Sequence, residues 1–126
     1  MRDEYVGIND MLGKKITKII GGVQDTELFF ETECGFTYKM YHEQDCCEQV
    51  YVEDITGDFS DLVGCTVVQA EEISQNNPHA SESGTWTFYK LSTTKWYGGV
   101  CIRWNGESNG YYSEKVSMIK YLTGAQ

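Results

Sequence analysis

Short runs that alternate polar and apolar residues, each cut off by glycine or asparagine, divide this chain from end to end. Strict alternation puts successive side chains on opposite faces of an extended backbone, whereas a helix needs apolar residues three or four apart. Residues 15–20 (KITKII), 26–32 (TELFFET) and 36–42 (FTYKMYH) read as three strands, separated by Gly21-Gly22 and by a hairpin connection at Glu33-Cys34-Gly35. Residues 49–54, 65–73, 85–91, 97–104 and 111–118 supply five more. Two short helices are expected, at 7–13, closed by Gly13, and at 58–64, with Asp58 as N-cap, Asp61 in the first turn and Gly64 at the end. Residues 74–83 form one long polar loop, 105–110 a turn, and the tail can finish in a helical turn. No helical pattern of 10–15 residues lies between strands, which excludes parallel βαβ units. The expected fold is mainly β, an antiparallel sandwich or a curved barrel-like sheet of about eight strands with one or two short helices.

At 126 residues the chain makes one domain, 1–126, large enough for a core without staples. Nine Tyr, five Phe and three Trp exclude general disorder. No run is long enough to span a membrane as a helix, and the acidic start MRDEYVGIND lacks the apolar region of a secretory signal, so a cytoplasmic location is expected. Five cysteines, odd in number and without a Cys-x-x-Cys pair, fit free thiols in that compartment.

The net charge of −9 is concentrated. Between Lys39 and Lys90 there is no Lys or Arg, and ten acids occur there; the flanks hold all ten basic residues and nine acids. Such a surface repels phosphate backbones, so direct nucleic-acid binding is disfavoured and a protein with a basic surface is the expected partner. The candidate protein-binding residues are Glu43, Asp45, Glu48, Glu53, Asp54, Asp58 and Asp61.

Two stretches are dense in chemistry. His42-x-x-Asp45-Cys46-Cys47-Glu48 combines imidazole, thiol and carboxylate, the ligand types of a transition metal, but no further pair completes a tetrahedron. A tight turn, with Asp45 on backbone N–H groups and His42 ending a strand, accounts for the same residues. No metal or cofactor is assigned. Three carboxylates in residues 54–61 lack the spacing of a calcium loop. The second stretch, residues 103–114, brings Arg103, Asn109, Tyr111, Tyr112 and Ser113, which with His42 form the candidate ligand-binding set for a small polar or aromatic molecule. Turn chemistry at the two Asn-Gly pairs and an ion pair at Arg103 are the alternative. Catalytic motifs (Gly-x-Ser-x-Gly, phosphate loop, dinucleotide fingerprint, His-Glu-x-x-His) do not occur.

The strings YHEQDCCEQVYVEDITGD, DLVG, WTFYKLST and IRWNGESNGYYSE resemble a family of small proteins of bacteriophages, prophages and their bacterial hosts, over residues 13–116. The resemblance transfers no activity and no site residue; it implies the setting of a viral accessory protein. In that setting the expected function is a non-enzymatic antagonist of a host defence system that acts through the acidic surface. A sponge for a nucleotide-like signalling molecule is the alternative, and a small metal-dependent enzyme centred on His42 and Asp45 the third. Free strand edges make a homodimer a further expectation.

Overall fold

The computed structural model describes residues 3–95 and 99–124. Among these residues, nine antiparallel strands form two sheets. The first has five strands in the order β1-β9-β4-β3-β2, with β1 at Glu4–Tyr5, β2 at Ile16–Ile20, β3 at Glu27–Thr32, β4 at Phe36–Tyr41 and β9 at Ser117–Leu122. The second has four in the order β5-β8-β7-β6, with β5 at Gln49–Thr56, β6 at Val67–Asn76, β7 at Ser83–Thr93 and β8 at Gly99–Ser108. The sheets face each other as a sandwich and, among the described residues, no closed barrel forms, which decides between the two architectures expected.

Alternation fills the space between them. Leu28, Phe30, Tyr38 and Met40 of the first sheet meet Val52, Leu91, Ile102 and Trp104 of the second, and all are almost inaccessible. Each large side chain removed from water in this way contributes about 1.5–3 kcal/mol. The two short helices are 3-10 turns at Ile8–Met11 and Phe59–Asp61. The second is capped as expected, the Asp58 carboxylate accepting from the Ser60 amide at 2.9 Å, and that bond holds the Asp58 carboxyl below its ordinary range. Gly57, just before it, has φ +98°, and a Cβ there would lie 2.5 Å from the Gly99 carbonyl oxygen. Only glycine fits that crossing.

Several boundaries differ from expectation. The polar loop begins at Asn77, because β6 continues through Ser74, Gln75 and Asn76 against β7. Residues 105–108 are strand, not turn: Asn105 pairs with Tyr51 and Trp86 on the two neighbouring strands. The last strand lies at Ser117–Leu122, displaced from 111–118, because residues 109–115 are spent on side-chain turns. Asn109 Oδ1 accepts from the Tyr111 amide at 2.9 Å and Ser113 Oγ from the Lys115 amide at 3.1 Å. The same strand pairs with β4 and β1 where a helical turn was expected. The start of the expected seventh strand, Tyr97-Gly98, and the last two residues of the tail lie outside the described residues.

The edges of the four-stranded sheet are treated differently. Along β5, Gln24 N donates to Val52 O at 2.7 Å and Val52 N to Asp25 O at 2.9 Å, so the loop after β2 covers that edge. On β6, among the described residues, backbone bonds cover only the first residue, Val67 exchanging bonds with Gly13 and Lys14. Among the described residues no helix is long and apolar enough to cross a membrane.

Candidate functional site

His42 follows β4 and, two residues beyond Met40, keeps to the inner side of the sheet. Its Nδ1 lies 2.6 Å from the Lys115 carbonyl oxygen and its Nε2 2.8 Å from Glu48 Oε2. Both partners are acceptors, so a ring with a proton on each nitrogen satisfies both. Glu48 is 3% exposed. Its carboxylate also accepts from the amides of Asp45 and Cys46, each at 2.9 Å. The His42 bond, helped by those amides and opposed by desolvation, holds the Glu48 carboxyl down to about 2. Gln44 closes the turn, its Nε2 donating to Glu48 O at 2.6 Å.

Cys46 and Cys47 are exposed with sulfurs 2.9 Å apart, and the neighbouring thiol pushes the Cys47 pKa up. A raised thiol pKa disfavours the nucleophilic thiolate. The 109–115 loop packs against this turn. The Tyr112 hydroxyl is pushed up chiefly by its contact with Cys46, and a shallow depression of about 320 Å³ is shared by His42, Glu43, Asp45, Ser113 and Lys115. Tyr111 stands out at 84% exposure, edge-on to Tyr112 with ring centres 5.0 Å apart. Both dense sequence stretches therefore meet at one corner.

Arg103 is not part of that corner. It lies on the outer face of the four-stranded sheet, six residues from Asn109, about 20 Å along an extended strand. Its Nε donates to Glu53 Oε1 at 2.8 Å, and its guanidinium carbon sits 5.4 Å from the centre of the Trp86 ring. Trp86 Nε1 donates to the same Glu53 oxygen at 3.0 Å. The candidate ligand-binding residues thus divide between two places.

The acidic set is also divided. Glu48 is turned inward. Glu53 holds Arg103 and Trp86, Asp61 pairs with Lys95 at 3.4 Å, and Glu43 accepts from the hydroxyls of Tyr5 and Tyr41 at 2.5 and 3.3 Å. Asp45, Asp54 and Asp58 are exposed. Among the described residues no three His, Cys, Asp or Glu side chains come together as metal ligands would.

Sequence reasoning passed over the outer face itself. The register sets Gln75, Trp86, Asn105 and Tyr51 in one row across the four strands, and Ile73, Phe88, Arg103 and Asp54 in the next. Trp86 and Phe88 are half-buried and Ile73 is 43% exposed. The signal was present in β7, where TWTFYKL carries large apolar side chains on both alternating faces and so cannot bury them all in one core. His79, from the loop after β6, packs near Trp86 with ring centres 6.0 Å apart.

Residues 9–118 match a family model described as Domain of unknown function (DUF7448). No curated protein matches the chain, and no solved structure does.

Proposed function

From the premise that the chain belongs to the DUF7448 family, a domain of unknown function, we propose that it works by binding, and that it captures a protein bearing basic side chains on the outer face of its four-stranded sheet. One observation carries this reading. Both edge strands of that sheet, β5 and β6, come from the stretch without Lys or Arg, and their outward carboxylates Asp54 and Glu71 flank a centre of Trp86, Phe88 and Arg103 on β7 and β8. Aromatic and arginine anchors inside a charged rim are the composition of an interaction hot spot. The outer face of the other sheet is self-contained by comparison: Lys39 pairs with Glu27 at 3.3 Å and lies over the rings of Phe29 and Tyr41.

The resemblance to phage and prophage proteins makes a component of a bacterial host's defence the first partner to seek, with the chain as its non-enzymatic antagonist in the host cytoplasm. The nucleotide-sponge reading draws less support, since Arg103 and the Tyr111–Ser113 segment do not face one cavity.

The test is capture of a host protein by the wild-type chain and by the doubly reversed Asp54→Lys/Glu71→Lys variant, alongside Trp86→Ala. Binding should weaken steeply between about 0.15 M and 1 M salt, and each variant should lose it while remaining cooperatively folded. A partner retained equally by all three proteins at high salt refutes the proposal.

A further inference from the structure

The sandwich is open along β6. On this side the opposing sheet offers the two-residue strand β1 and the start of β9, and the Ile8–Met11 turn packs on β6, so the inward side chains of Glu72 and Ser74 face a groove instead of a packed layer. Two depressions of about 270 and 380 Å³ run together there, sharing Glu72, Lys115 and Val116. One end is apolar, with Val6, Ile8, Tyr89 and Met118; the other carries the hydroxyls of Ser74, Ser83, Thr85 and Thr87 beside Glu114.

The backbone of the same strand is unspent. Asn77 N donates to Gly84 O within the sheet, and alternation from that bond turns the odd-numbered residues 69–75 toward β7. Ala70, Glu72, Ser74 and Asn76 therefore aim their N–H and C=O groups away from the sheet. The bulge between Val67 and Gln69 separates this open run from the covered start of the strand. The run spans about 20 Å, the length of a natural docking strand.

Charge selects the occupant. Burial alone pushes the Glu114 carboxyl up, but the hydroxyls of Ser108, Ser83 and Thr85 outweigh it and leave the pKa below its ordinary value. Ser108 Oγ donates to it at 2.5 Å and Thr85 Oγ1 at 2.7 Å. This carboxylate makes no ion pair among the described residues, and neither does Glu72, farther along the groove. Lys115 is the one cation among the residues that line the two depressions, and it stands exposed against two carboxylates.

We propose that β6 is a docking strand: an extended segment of a partner protein adds to its free edge as a tenth strand and sends alternate Lys or Arg side chains into the groove toward Glu72 and Glu114. Main-chain bonds supply the affinity of such an addition and side-chain pockets its selectivity. The site is separate from the outer face and stands whether or not that face binds a protein. A second copy of the chain fits less well, because β6 carries Glu71 and Glu72 and no basic residue.

The probe is an end-capped peptide of about eight residues alternating lysine and valine, added to the full chain and followed by amide hydrogen exchange. The amides of Ala70, Glu72, Ser74 and Asn76 should gain protection together. The same peptide with its inward-pairing amides N-methylated should bind at least about tenfold more weakly, as should Ser74→Pro and Glu72→Lys. Ser74→Pro leaves the sheet intact because its amide faces away from β7. Three outcomes overturn the proposal: no protection at about 1 mM peptide, equal protection by a glutamate–valine peptide, or protection without peptide that grows with protein concentration. The last would assign the edge to self-association.

Discussion

Replacing Asn105 by Ala tests whether the polar row at the end of the four-stranded sheet is structural. Asn105 is 1% exposed and Asn77 6%. Asn105 Oδ1 accepts from Asn77 Nδ2 at 2.8 Å, and Asn105 Nδ2 donates to Glu107 Oε2 at 2.9 Å. Asn77 Oδ1 in turn accepts from the His79 amide at 2.9 Å, so one buried pair fixes the loop between β6 and β7. Alanine removes these two hydrogen bonds, each contributing about 1 kcal/mol, together with a long and weak third from Asn105 Nδ2 to the Tyr51 hydroxyl at 3.5 Å, and strands the Asn77 amide in a dry site, which costs about 1–3 kcal/mol more. Part of that stranding is relieved if the loop lifts, so the expected loss is about 2–4 kcal/mol. With an unfolding entropy of about 2.1 cal/mol/K per residue, this lowers the melting temperature by roughly 8–15 °C. Urea titration should show an unchanged slope and a lower midpoint, while amide exchange in residues 77–82 accelerates more than in the core strands. A loss under about 1 kcal/mol with unchanged exchange in that loop would falsify the accounting.

Acid should act through Glu48. Its folded pKa of about 2 lies below the ordinary 4.5, so its contribution is complete above about pH 4.5 and drains away as pH falls toward 2. Asp10, Asp58 and Glu114 are lowered as well and lose stability in the same direction. The specific expectation is therefore a difference: melting temperature should fall less between about pH 5 and pH 3 in Glu48→Gln than in the wild type, and parallel profiles would contradict it. Tyr38→Phe should cost about 1–2 kcal/mol, because the Tyr38 hydroxyl donates to Asp10 Oδ2 at 2.7 Å from a buried position. In the same variant the Asp10 carboxyl should titrate higher by NMR, since that bond is the main cause of its lowered pKa.

Strands were legible where alternation marks one core face, as in TELFFET and FTYKMYH, and KITKII still read as a strand although a bulge between Ile16 and Lys18 breaks its alternation and leaves Ile20 exposed. They were illegible where local turn chemistry imitates a break. Asn105-Gly106 looks like a hairpin turn, yet Asn105 is there to bond Asn77. Gly106 is there because the Glu114 backbone oxygen comes within 2.9 Å of where a Cβ would stand. The converse holds at Tyr111, where alternation continues but Asn109 and Ser113 have already committed the backbone to turns. At the corner, the sequence brought His42 and Asp45 into one turn but counted Glu48 among surface acids. Nothing in a run of seven carboxylates marks the one whose lone pairs meet an imidazole and two amides.

Saturation separates the corner from the two surfaces assigned a role. In the His42–Glu48 turn both imidazole nitrogens, both carboxylate oxygens of Glu48 and the Gln44 amide already have partners within the chain. A ligand there would have to displace a bond to the buried Glu48 carboxylate, so the turn serves as a staple that ties β4, β5 and the loop before β9. The outer face and the β6 edge have the opposite accounting. Trp86, Phe88 and Ile73 keep apolar area in water, the even-numbered amides of β6 face outward, and Glu114 stays ionised without a cation. Recognition draws on groups the fold leaves unspent, and in this chain they are gathered on the four-stranded sheet. Rigid support from the staple is what keeps Ser113, Glu114 and Lys115 standing along the groove. Loosening it with His42→Ala should therefore weaken capture of the basic peptide even though His42 does not line the groove.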